Sequence, residues 1–68
     1  MLVTLSLFGG GEISLLASSV FLVRTFKDDS GEYTAVLYDR KPSGEYETCY
    51  VTESPSAVAS RVNDALRP

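Results

Sequence analysis

Tyr46-Glu47-Thr48-Cys49-Tyr50-Val51-Thr52-Glu53-Ser54-Pro55-Ser56-Ala57-Val58-Ala59-Ser60-Arg61-Val62 changes its period halfway along. Up to Thr52 it alternates: Tyr46, Thr48 and Tyr50 share one face, and Glu47, Cys49 and Val51 share the other. That is the period of a strand. After Ser54 the apolar residues Val58, Val62 and Leu66 recur every fourth position, with Ala59 and Ala65 beside them, which is a helical stripe. Ser54 can accept a hydrogen bond from an otherwise unpaired backbone N–H, and Pro55 suits the first helical position, where its missing N–H costs nothing. A strand therefore runs over about 45–52 and a helix over about 55–66. The helix is too short to stand alone, so it must pack on the strands before it.

Upstream the signals are all of strands. Glu32–Arg40 is bounded by Lys27-Asp28-Asp29-Ser30-Gly31 and by Lys41-Pro42-Ser43-Gly44, two turn sequences. Val20–Phe26 is rich in β-branched and aromatic residues and is apolar on both faces at its start. Leu2–Phe8 alternates, with Val3, Leu5 and Leu7 on one face. Gly9-Gly10-Gly11 then permits a hairpin turn, and Ile13 and Leu15 point inward on the return strand. The order β-β-β-β-β-α, with short links, predicts a single α+β domain over residues 1–68: an antiparallel meander of about five strands (2–8, 12–16, 19–26, 32–40 and 45–52) with the C-terminal helix on the sheet. The predicted core is Val3, Leu5, Leu7, Ile13, Leu15, Val20, Leu22, Val36, Val51, Val58 and Val62.

Residues 1–23 carry one charge, Glu12. A secretory signal calls for a positive stretch before the apolar run, and a spanning helix would hold three glycines and Glu12 near its middle. Two strands and a turn fit better, so the expectation is no membrane association. The chain has one cysteine and no histidine or tryptophan. A lone Cys49 fits a reducing, cytoplasmic setting. No disulfide can form within the chain, and one thiol without histidine cannot supply a zinc ligand set. Self-association is then the readiest extra support for so small a domain.

No residue set points to chemistry. Gly9-Gly10-Gly11-Glu12 lacks the third glycine of a dinucleotide fingerprint and leads into a strand. Asp28, Ser30 and Glu32 have neither the glycine placement nor the closing Glu of a calcium loop. Cys49 has no histidine to act as its base and reads as a small buried thiol. Glu45 and Glu47 would need a cleft that so small a sheet does not supply. The expectation is a non-enzymatic protein without cofactor or metal.

Binding is the remaining class. Tyr33, Tyr38, Tyr46 and Tyr50 fall in the last two strands, and Phe21 and Val23 lie in the doubly apolar third strand. These six form the candidate interface, for an unidentified protein partner or for a second copy in a homo-oligomer. The same tyrosines could instead be cross-strand pairs that only stabilise the sheet. Stacking of nucleic-acid bases on them is the alternative function. It is disfavoured by nine acidic against six basic residues, a net charge of −3.

Leu5-Ser6-Leu7-Phe8-Gly9-Gly10, Glu12-Ile13, Val20–Val23 and Tyr50-Val51-Thr52-Glu53-Ser54-Pro55 together resemble the FlbD/SwrD family of small flagellar-motility proteins and similar short bacterial and phage proteins. The chain departs from that pattern at Leu16-Ala17-Ser18-Ser19 and in its longer second hairpin. The resemblance implies the architecture and a lack of enzymatic chemistry, and it transfers no functional residue.

Overall fold

The computed structural model describes residues 1–29 and 31–67. It has five antiparallel strands and one helix: β1 (Leu2–Ser6), β2 (Glu12–Leu16), β3 (Val20–Asp28), β4 (Gly31–Arg40), β5 (Tyr46–Val51) and α1 (Pro55–Leu66). The α+β class and the C-terminal helix packed on the sheet are as expected. Ser30, in the predicted turn between β3 and β4 and in the calcium-loop reading, lies outside the described residues. The flanking strands pair from Asp28 opposite Gly31 onward.

The strands form two sheets, β1-β2 and β3-β4-β5, instead of one run of neighbours. A 3-10 turn at Ala17–Ser19 separates β2 from β3. The break is repaired elsewhere. Leu7 bridges Val51, the Phe8 N–H donates to the Tyr50 carbonyl (2.8 Å), and the Thr52 N–H donates to the Ser6 carbonyl (2.9 Å). Followed through these bonds, the strands run β2-β1-β5-β4-β3, and β2 and β3 are the outer edges.

Each turn has a local cause. Gly9, Gly10 and Gly11 all take positive φ (99°, 114° and 86°), a region costly for residues with a Cβ. At the start of α1 the Ser54 hydroxyl accepts from the Ala57 N–H at 3.2 Å, with Pro55 in the first turn.

Helix α1 packs against β1, β3 and the 3-10 turn, bridging the two sheets. Beneath it lie Val3, Leu5, Leu15, Ala17, Val36, Cys49, Val51 and Val58, with Leu7, Ile13, Val20, Val23, Tyr38, Val62 and Ala65 around them. One core expectation is corrected. Leu22 is 41% exposed. A register shift between Val20 and Leu22 inserts a bulge at Phe21. Val20 and Val23 both face the helix as a result, and Leu22 is turned outward.

The first sheet is tied to the second by Glu53. Both its carboxylate oxygens accept from the Ser6 N–H (3.1 and 3.0 Å), and Oε2 also accepts from Arg61 Nη1 at 3.1 Å. Arg61 Nη1 donates to the Thr4 carbonyl as well (3.0 Å). One ion pair thus holds the end of β1 against the start of the helix. Thr34, buried in β4, donates its hydroxyl to the Glu53 carbonyl.

Candidate functional site

With α1 on one side, the other side of β3-β4-β5 is open. Its residues follow from the pairing. Leu22 lies opposite Leu37, Arg24 opposite Ala35, and Phe26 opposite Tyr33. Ala35 lies opposite Tyr50, Leu37 opposite Thr48, and Arg40 opposite Tyr46. Directly opposed residues share a face. Phe21 joins this face by stacking on Tyr46, with ring centroids 4.3 Å apart and planes at 16°. Phe8 joins from beyond β1 by stacking on Tyr33 at 4.5 Å.

Six of the seven aromatic residues therefore lie on one face. They fall into two groups. Phe8, Tyr33, Phe26 and Tyr50 form a cluster: Phe26 is 5.2 Å from Tyr33 and 5.6 Å from Tyr50, and Tyr33 meets Tyr50 edge-on at 5.2 Å. Phe21 and Tyr46 form a separate pair at the other end. Such edge and stacked contacts each add roughly 0.5–1.5 kcal/mol beyond burial. They nevertheless leave much surface open: Phe21 is 61% exposed, Phe8 46% and Tyr50 40%. Ala35 is fully covered because larger neighbours surround it.

Of the six expected interface residues, the structure brings Phe21, Tyr33, Tyr46 and Tyr50 to this face. Val23 and Tyr38 go to the other side, where both pack against the core. Burial raises the Tyr38 phenol above its ordinary value, and burial likewise raises the Cys49 thiol. Four apolar members of the open face were not expected there: Phe8, Leu22, Phe26 and Leu37. Phe26 was not legible, since it alternates with Leu22, which the sequence places in the core until the bulge at Phe21 turns both outward. Nor was Phe8, because its place depends on a bond to β5, more than forty positions away.

The charged groups on this face are few. Arg24 and Arg40 project from it by register, and Asp28 sits at its tip. The Tyr33 hydroxyl donates to Asp28 Oδ2 at 2.6 Å. That hydrogen bond, with some desolvation and the nearby negative charge, pushes the Tyr33 phenol up to about 12. Glu47 lies on the other side, paired with Lys41 at 2.9 Å.

A half-open cleft of about 200 Å³ lies at the sheet's end, lined by residues including Thr25, Tyr33, Thr34, Glu53 and Pro55. It is smaller than the roughly 300–1,000 Å³ of a usual ligand site. Its main polar groups, Thr34 and Glu53, are already engaged in holding the fold. Among the described residues no three Cys, Asp or Glu side chains gather closely enough to hold a metal ion. No described helix is long and apolar enough to cross a membrane.

No family model, curated protein or solved structure matches the chain.

Proposed function

We propose that the chain is a non-enzymatic protein-interaction module that meets its partner through the open face of β3-β4-β5. One observation carries this reading. Six aromatic residues, with Leu22 and Leu37, lie on a face that no described element covers, while Val20, Val23, Val36 and Val51 of the same sheet pack in the core beneath the helix. Aromatic side chains give large contact area at low entropic cost, and tyrosine keeps a polar tip for water when the partner is away. The proposal rests on that face and not on the flagellar resemblance.

Immobilised protein would test it. A protein retained stoichiometrically by the wild type, and by a Lys41→Ala control, should be lost from the double variant Phe21→Ser/Tyr50→Ser. Retention unaltered by the double variant would overturn the proposal.

Nucleic-acid binding stays as the second reading because Arg24 and Arg40 share the face with the stacked rings. It predicts retention on single-stranded DNA or RNA that weakens steeply with salt. No retention at low salt would remove it.

A further inference from the structure

Strand β3 is nine residues long, contains no proline, and among the described residues has only β4 as a strand neighbour. Among the described residues no strand pairs with the row of backbone groups on its far side, the arrangement that recruits another strand. The bulge at Phe21 disrupts the first part of that row. The remainder, Arg24 to Asp28, stands clear on both faces: Arg24, Thr25, Lys27 and Asp28 are exposed, and Phe26 is half-buried.

We propose that this edge pairs, antiparallel, with the same edge of a second copy, and that the two-fold axis passes through Phe26. The choice of partner and register comes from the side chains. An axis at Arg24 would set Arg24 against its own copy. An axis at Thr25 would pair only Arg24, Thr25 and Phe26 of that row, setting the Arg24 charge against the apolar Phe26. An axis at Phe26 sets Phe26 against Phe26 on the aromatic face. It also sets Arg24 against Asp28 twice, once on each side of the axis. On the other face Thr25 meets Lys27. Opposite charges and paired aromatics directly across a ladder favour pairing, and like charges oppose it. Arg24 has no salt-bridge partner within the described residues. Asp28 is already engaged, in part by the Tyr33 hydroxyl, and Arg24 of the second copy would join those interactions, since one carboxylate has about four lone-pair sites for donors.

The product is a six-stranded sheet whose two aromatic clusters meet across the axis. It deepens the interaction reading above, since it widens the face proposed there. Five pairs per edge bury less than the roughly 800 Å² per partner of a standard interface. The dimer is therefore reversible, half-formed at on the order of 100 µM and dispersed by dilution.

Sedimentation across a dilution series from about 1 mM downward tests this. The wild type should dimerise with concentration. R24D sets a carboxylate opposite Asp28 of the second copy, and D28R sets a cation opposite Arg24, so each single variant should stay monomeric at least tenfold higher in concentration. The double variant R24D/D28R restores opposite charges and should recover the dimer. F26K, which places two ammonium groups at the axis, should stay monomeric. A wild type monomeric throughout would overturn the edge pairing and leave the protein-capture test of the open face standing. A dimer insensitive to R24D but lost in Phe21→Ser/Tyr50→Ser would overturn it too, in favour of copies meeting face to face. A double variant no better than the singles would overturn the register.

Discussion

The two faces of β3-β4-β5 are both apolar, but they are built from different residues and meet different fates. The face under α1 carries Val36, Cys49 and Val51, which interlock with Val3, Leu5 and Val58 and exclude water. The open face carries rings that stack sideways on one another and stay wet at their rims. Branched aliphatic side chains have no polar atom to present to water, so they stabilise a fold only when covered. Tyrosine is stable in either setting. This sheet turns its valines toward the core and leaves most of its rings, with Leu22 and Leu37, on the open face.

If that division is right, stability should be concentrated on the helix side. Leu5→Ala, at a position 1% exposed, should cost about 3 kcal/mol. For a domain of this size that is a large part of a total near 5 kcal/mol, and chemical denaturation should show a protein largely unfolded well below the wild-type midpoint. A Leu5→Ala protein with near-native stability would break the comparison at its root.

The next effect tests the joint that lets the covered face close. Glu53→Ala removes the acceptor of the Ser6 N–H and the partner of Arg61. Arg61 is half exposed, so its ion pair contributes little. The loss comes mainly from the nearly buried carboxylate and its backbone bond, about 1–2 kcal/mol. Hydrogen exchange should show β1 and β2 opening before β4 and β5.

Phe21→Ser should cost less than about 1 kcal/mol, because only its stacking on Tyr46 is lost. A thermal melt checks this. A cost equal to that of Leu5→Ala would mean that the open face is a second core and not a contact surface.

The smallest effect distinguishes the faces by titration. Tyr33 and Tyr38 are both raised, but Tyr33 chiefly by its hydrogen bond to Asp28 and Tyr38 chiefly by burial. The folded value of Tyr33 lies above its ordinary value of 10.0. Its contribution to stability is therefore complete below that pH and is lost as pH rises toward about 12. Asp28→Asn should bring Tyr33 ionisation to lower pH while leaving Tyr38 late. Tyrosinate absorbance in single Tyr→Phe backgrounds separates the two. Equal movement of both would show that burial governs Tyr33 as well.

Much of this was legible beforehand. The alternation of Val3, Leu5 and Leu7, of Tyr46, Thr48 and Tyr50, and of Cys49 and Val51 gave the faces of β1 and β5, because residue period and strand geometry are the same fact. Ser54-Pro55 marked the helix start because capping is local chemistry. Val23 falls with the candidate interface and Leu22 with the core because a stretch apolar on both sides carries no period to read, whereas Tyr38 is legible as inward from its alternation with Val36. A one-residue bulge then reverses every assignment beyond it.

The sequence by itself determined the element types, the turns and the inner faces of the evenly alternating strands. Each of these is set by φ, ψ and side-chain direction within a few residues. Only the tertiary structure decided that β2 does not pair with β3 and that β1 joins β5, that Glu53 clasps the Ser6 N–H, and that Phe8 completes the cluster around Tyr33. Those outcomes depend on backbone donors and acceptors far apart in the chain finding one another, and no local pattern encodes which of several equivalent edges will meet.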